Sequence, residues 1–148
     1  MDINKAKRIV STFFKNELGL DPDVSQSTND FFTLATGAHF EGFYCDTLFS
    51  VGCDKNGLLQ LTVLLGEIIK PTFDIYHLIN EYNNSSQVNS GLCFHAFLTD
   101  NQLSLVTEIP FVNTNMLNQY LDFLFDLIEY SLSKNPIMEE LCSYIVKK

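Results

Sequence analysis

The sequence predicts an α+β domain: a five-stranded antiparallel sheet with helices packed on one face, in the order α-β-β-β-α-β-β-α plus a C-terminal helix. Three observations lead there. Apolar residues recur at helical spacing near both ends of the chain and in its middle, the period falls to two over residues 30–66 and 92–109, and tight-turn residues stand where the period-two runs meet. The 148 residues suit one domain spanning 1–148. At that size roughly 70% of the unfolded surface can be buried, so neither a disulfide framework nor a structural metal is needed.

Asp2 is placed to cap the first helix, in which Ile3, Ala6, Val10, Phe13, Phe14 and Leu18 share a face. Gly19 and Asp21-Pro22 end it, and the polar stretch from Asp23 to Asn29 reads as a loop. Strands follow around Phe31 to Thr36, Phe43 to Cys53 and Leu58 to Leu65. The turn Lys55-Asn56-Gly57 fixes the register of the last two, because a three-residue loop with a left-handed glycine sets Cys53 opposite Leu59, Val51 opposite Leu61 and Phe49 opposite Val63. These apolar pairs then share one face. The reverse face carries Ser50, Gly52, Gln60 and Thr62, with Leu48 and Leu64 as apolar exceptions.

Pro71 suits the first turn of the middle helix, whose Ile75, Leu78, Ile79 and Tyr82 form its buried stripe; the polar run from Asn83 to Gln87 reads as its end. The second hairpin, Leu92 to Leu98 and Leu103 to Ile109, turns on Asp100-Asn101, residues that tolerate the positive backbone angles of a type I′ turn. This register pairs Leu98 with Leu103, Ala96 with Leu105, Phe94 with Thr107 and Leu92 with Ile109 toward the core. Cys93, His95, Phe97, Ser104, Val106 and Glu108 fall on the reverse face.

In the long helix from about Asn115 to Ser133, the polar residues Asn118, Gln119, Asp122, Asp126, Glu129 and Ser133 occupy one narrow arc. The remaining two-thirds or so of its circumference is apolar, more than one sheet face covers. The surplus predicts a contact with the first helix or with a second molecule. Asn135-Pro136 starts a final helix with Ile137, Leu141, Tyr144 and Ile145 inward, and Lys147-Lys148 complements its dipole.

The formal charge of −9, with Arg8 the sole arginine, argues against nucleic acid and against an anionic membrane surface, since both call for clustered cations. Lys5, Lys7 and Arg8 are too few for a phosphate footprint. No apolar run approaches the ~18 residues of a membrane span, and the basic start lacks the run of a signal peptide, so a cytoplasmic protein is expected. Cys45, Cys53, Cys93 and Cys142, widely spaced and without a C-x-x-C pair, read as reduced small hydrophobes.

The element order, the stretch Leu78-Ile79-Asn80-Glu81-Tyr82-Asn83 closing the middle helix, and the strand from Leu103 to Phe111 leading into a long helix resemble the YbjN-like family, whose fold is that of type III secretion chaperones. The resemblance covers most of the chain. It implies a small, acidic, dimeric protein-binding domain of the kind described as bacterial regulators of stress or signalling, with no catalytic motif and no cofactor.

Chemistry-bearing residues are sparse. Cys93, His95 and Glu108 share one sheet face, yet one cysteine, one histidine and a carboxylate match no established zinc pattern, and a mid-strand cysteine beside a carboxylate lacks the electropositive setting of a reactive thiol. His39 beside Glu41 and His77 on the middle helix read as surface residues; Asp122 and Asp126 lie on a solvated stripe. Gly37, Gly42 and Gly52 form no phosphate-binding loop. The sequence therefore points to a non-enzymatic protein-binding module, chaperone-like or regulatory, acting as a homodimer on a protein or peptide partner. Leu48, Leu64, Phe97, Val106, Phe123 and Phe125 are the expected apolar anchors. The competing readings are a small metal-binding or cysteine-dependent enzyme centred on Cys93, His95 and Glu108, and a dedicated type III secretion chaperone.

Overall fold

The computed structural model describes residues 2–38, 47–89, 94–111 and 113–146. The Asp2 carboxylate accepts from the N–H groups of Asn4 and Lys5, satisfying two donors that the start of a helix leaves without partners, and α1 (Ile3–Glu17) follows. Ile3, Ala6, Val10, Phe13 and Phe14 are buried, as their spacing predicts. Gly19, at φ +65°, ends the helix, and the Leu20 N–H returns to the Phe14 carbonyl.

The sheet has six antiparallel strands, one more than the sequence pattern indicates. They are β1 (Asp23–Ser27), β2 (Phe31–Ala38), β3 (Thr47–Asp54), β4 (Leu58–Glu67), β5 (His95–Thr99) and β6 (Gln102–Pro110), in the spatial order β1-β2-β3-β4-β6-β5. The additional strand, β1, occupies the stretch expected to be a loop. Every residue of β1 is exposed, so it lacks the apolar alternation by which a half-buried strand is recognised. Its pairing with β2 slips between Val24 and Gln26, where the Ser25 hydroxyl donates to the Thr33 carbonyl.

The β3–β4 register is the one the turn predicts: Cys53, Val51 and Phe49 face Leu59, Leu61 and Val63. Gly57, at φ +88°, closes that turn. The Asp54 carboxylate accepts from the Asn56 and Leu58 N–H groups beneath it. Asp100 and Asn101 both have positive φ, and the β5–β6 hairpin pairs Leu98 with Leu103 and Ala96 with Leu105. The strand expected from Phe43 is described only from Thr47 onward. His39, Glu41, Gly42, Phe43, Cys45, Leu92 and Cys93 lie outside the described residues.

The middle helix, α2 (Phe73–Asn89), continues through the polar run expected to end it. Asparagine and serine cost only tenths of a kcal/mol each relative to alanine in a helix, far less than a proline, so a short polar run weakens a helix without ending it. Asn83 also has a distant partner that sequence spacing does not reveal: its side-chain amide donates to the Ala96 carbonyl at 3.1 Å and accepts the Ala96 N–H at 2.7 Å. Counting back from the turn-flanking pair Thr99 and Gln102, Ala96 is at a position where the main-chain groups point away from β6. Asn83 thus takes the place of another strand at one residue, Ala96, of the outer edge of β5.

A single 3-10 turn (Thr114–Met116) leads into α3 (Leu117–Lys134), and the Asn135 side chain caps α4 (Pro136–Ser143) by accepting from the Ile137 and Met138 N–H groups. Met138, Leu141 and Ile145 face inward. Tyr144, expected inward, is instead exposed, because α4 ends at Ser143 and the chain no longer follows the helical spacing. The departing chain packs against the end of β4, where the Val146 N–H donates to the Glu67 carbonyl and a side chain on Gly66 would come within 2.5 Å of Ile145. The four helices and one face of the sheet enclose a single apolar core.

Replacing Asn83 with Ala leaves two buried main-chain groups of Ala96 without that partner and is expected to cost about 1–3 kcal/mol. Urea denaturation measures the loss. Asn83→Asp should not restore the stability, since a carboxylate cannot donate to the Ala96 carbonyl; recovery by Asp would rule out the two-way bond.

Candidate interaction surface

The helices cover only one face of the sheet. Because side chains alternate along each strand, the register that buries Phe49, Val51, Leu61, Val63 and Leu105 turns Leu48, Ser50, Thr62, Leu64, Ser104 and Val106 to the open side. One cross-strand row there runs Gly37, Leu48, Leu64, Ser104 and Phe97, spanning β2, β3, β4, β6 and β5. At about 4.8 Å between strands the row is roughly 19 Å long. Val106 stands diagonal to both Leu64 and Phe97, and small Ser104 leaves a gap between those two larger side chains.

Leu48 is 49% exposed and Phe97 48%, while Leu64 and Val106 are half-buried by their neighbours. Four of the six expected anchors therefore share one continuous surface. Phe123 belongs to a different one, on α3, where it is 46% exposed. Phe125 does not serve as an exposed anchor. It is 5% exposed and lies with its ring centroid 5.6 Å from that of Phe13, 5.1 Å from that of Phe49 and 6.4 Å from that of Phe14. The broad apolar arc of α3 holds residues of both kinds, and composition does not distinguish them.

The next row on the open face holds Ala35, Ser50, Thr62, Val106 and His95, and the one beyond it is polar: Thr33, Gly52, Gln60 and Glu108. The Gln60 side-chain amide donates to the Glu108 carboxylate at 3.0 Å. A shallow recess of about 530 Å³ lies at this end, bordered by Phe31, Thr33, Gly52, Asp54, Leu58 and Gln60. Gly52 opens its floor, since a side-chain carbon there would only just reach Thr33 and Gln60.

Candidate chemistry does not assemble on this face among the described residues. His95 stands opposite Val106, and its ring lies 6.4 Å from that of Phe97. Glu108 sits beside Gln60, and Cys93 is outside the described residues. Among the described residues no three histidine, cysteine or acidic side chains are grouped to hold a metal ion. His77 pairs with Glu81 one turn along α2 at 3.2 Å and lies beneath Phe73, an exposed surface arrangement. Asp122 and Asp126 are exposed on α3. No helix among the described residues is long and apolar enough to cross a membrane.

Cys53 lies in the core, beneath the polar row. Burial, and secondarily the Asp54 carboxylate, pushes its thiol up from 9.0 to about 12. A thiol held neutral in this way is a poor nucleophile. Its raised value stabilises the fold fully below pH 9, and that contribution is lost as pH rises toward 12, because the unfolded chain gives up the proton first. Urea midpoints should therefore fall faster with alkali in the native chain than in a Cys53→Ala variant, and Cys53 should resist alkylation until the chain unfolds. Parallel pH profiles for the two chains would refute the assignment.

Comparison with protein-family models, with curated proteins and with solved structures finds no match, and two of the features that suggested the YbjN-like family differ in the structure: four strands, not three, precede α2, and α2 continues past Asn83 to Asn89.

Proposed function

We propose that this protein is a non-enzymatic, cytoplasmic protein-binding module, chaperone-like or regulatory, that works as a homodimer and holds a polypeptide partner on the open face of its sheet. The observation that carries this reading is the row from Leu48 to Phe97: Leu48, Leu64 and Phe97 stand in line across the sheet, interrupted by Ser104 and flanked by Val106, with no described element of the chain over them. Exposed apolar residues scattered singly need no explanation, whereas a contiguous patch marks a site of association. Phe97 is the principal anchor, since an aromatic ring brings the most area at little entropic cost.

The edges of the sheet support a face-on mode of binding. Asn83 occupies the outward main-chain groups of Ala96 on β5. At the other edge, β1 is only five residues long and its register slips, features that discourage strand addition. The net charge of −9 favours partner segments that carry lysine or arginine beside their apolar residues. A dedicated type III secretion chaperone is a narrower form of this reading, distinguished by protection of a secreted substrate.

Panning against a peptide library rich in basic and apolar residues is the direct test. Phe97→Asp and Leu64→Asp should each weaken the selected peptides at least tenfold, with an unchanged circular-dichroism spectrum and with added salt lowering the affinity further. Binding that survives both substitutions would remove the open face from the reading.

A further inference from the structure

At Gly52 the open face of the sheet carries no side chain. Thr33 on β2 and Gln60 on β4 stand to either side of it, with Phe31 and Asp54 one row further on, and together they border the recess of about 530 Å³. That volume suits a large side chain or a small ligand. A side-chain carbon built on Gly52 would lie 3.7 Å from Thr33 Oγ1 and 3.9 Å from Gln60 Oε1, so two oxygens stand over this position. Chemistry fixes the orientation of the Gln60 amide. Its nitrogen donates at 3.0 Å to the Glu108 carboxylate, which can only accept, and the amide oxygen is therefore the end turned to Gly52. Lys55, the one cation among the described residues that border the recess, is engaged with Asp30 at 3.0 Å.

Resting on the reading of the open face as a peptide-binding surface, and on no particular oligomeric state, we infer that this recess takes the guanidinium group of an arginine carried by the bound polypeptide. Three features select that group. First, the recess offers acceptors: Gln60 Oε1, the Thr33 hydroxyl and, on its border, the Asp54 carboxylate, whose two turn hydrogen bonds both use Oδ1. A guanidinium brings only N–H donors, spread in one plane. It can reach several separated oxygens in a shallow site, whereas the compact ammonium of lysine cannot and also holds its water more tightly. Second, Asp30 and Asp54 outnumber Lys55 at the border, and Glu108 adds negative charge beside Gln60. Third, Phe31 is 36% exposed and supplies an aromatic ring of the kind on which a guanidinium stacks.

The position of the recess also sets a spacing in the partner. Gly52 lies four residues along β3 from Leu48 and on the same face, a separation of about 13 Å. Side chains four apart in an extended segment point the same way. A segment lying along the strands therefore brings an apolar side chain to Leu48 and Leu64, and an arginine four residues away to Gly52.

Titration followed through backbone amide NMR signals tests the recess, with the methylamide of N-acetylarginine as the probe and the matching citrulline and lysine compounds as controls. The arginine compound should shift the signals of Thr33, Gly52 and Gln60 and reach saturation. The citrulline compound, which has lost the charge, and the lysine compound should each bind about tenfold more weakly. Gly52→Val fills the recess where the first added carbon makes only ordinary contacts, so it should keep the circular-dichroism spectrum and lose the arginine response. Should that variant lose its fold, Gln60→Leu, an exposed position, removes the amide oxygen and should weaken the arginine compound in the same direction. An equal response to the arginine and lysine compounds, or an arginine response that survives both substitutions, would overturn the assignment.

Pentapeptides with phenylalanine at one end and arginine at the other separate this outcome from that of the proposed function. Citrulline in place of the arginine should weaken them about tenfold on the native chain and leave their affinity for Gly52→Val unchanged, while Phe97→Asp weakens both forms. Sensitivity to Phe97→Asp without sensitivity to citrulline would overturn the arginine site and keep the peptide-binding face. Binding of the arginine compound together with peptides indifferent to Phe97→Asp would keep the guanidinium site and remove the apolar row from the proposed function.

Discussion

Four phenylalanines from three distant parts of the chain meet at one point, and the arrangement of the molecule depends on that meeting. Phe13 and Phe14 come from α1, Phe49 from β3 and Phe125 from α3, with edge-on contacts between Phe14 and Phe49 and between Phe49 and Phe125. Such ring pairs contribute about 0.5–1.5 kcal/mol beyond the area they bury. Their larger effect is positional. With Phe49 directed to one side of the sheet, α1 and α3 are drawn to that side, and the alternation of β3 commits Leu48 to the other. With Phe125 directed inward, the rotation of α3 about its axis is set, and Phe123, two residues earlier, is carried out of the core. The open face and the exposure of Phe123 are both consequences of the same aromatic contacts.

The residues legible in the sequence were those whose structure is decided by near neighbours. Asp2, Gly57, Asp100, Asn101 and Asn135 act within a few residues of their own position, and the β3–β4 register followed from a single turn plus the requirement that apolar partners share a face. The features not legible depend on remote partners or on exposure. β1 exists by pairing with β2 and buries none of its own residues, so no periodicity announces it. Asn83 resembles a helix terminator until Ala96 is beside it. Phe123 and Phe125 are chemically identical and two residues apart; only the direction from which the core approaches α3 separates an exposed ring from a buried one. The candidate site shows the same division. Leu48, Leu64, Phe97 and Val106 followed from register, which is local, and their continuity across four strands followed from the order of the sheet, which is not.

An open six-stranded sheet has two edges, and the chain handles them by different means. At β5 a single amide supplies the donor and the acceptor that an incoming strand would otherwise supply. At β1 the protection is geometric: a short strand, a slip in pairing, and exposed polar residues with Val24 as the only large apolar side chain. The open face carries the exposed apolar row while both edges are short and partly guarded, which separates a surface fit for specific contact from the features that lead to indiscriminate strand pairing.

The placement of every helix on one side of the sheet has a consequence for valency. Because the described helices lie on the other side of the sheet, any dimer joined through helices would leave both open faces clear of the contact. Neither site obstructs the other. A partner with one binding segment would fill the two independently, whereas a partner presenting two segments on a linker of matching span would gain avidity of about 10²–10⁴ from effective concentration alone. The same protein would then hold a monomeric partner loosely and an extended or repetitive one firmly, a discrimination based on partner architecture and not on any additional contact.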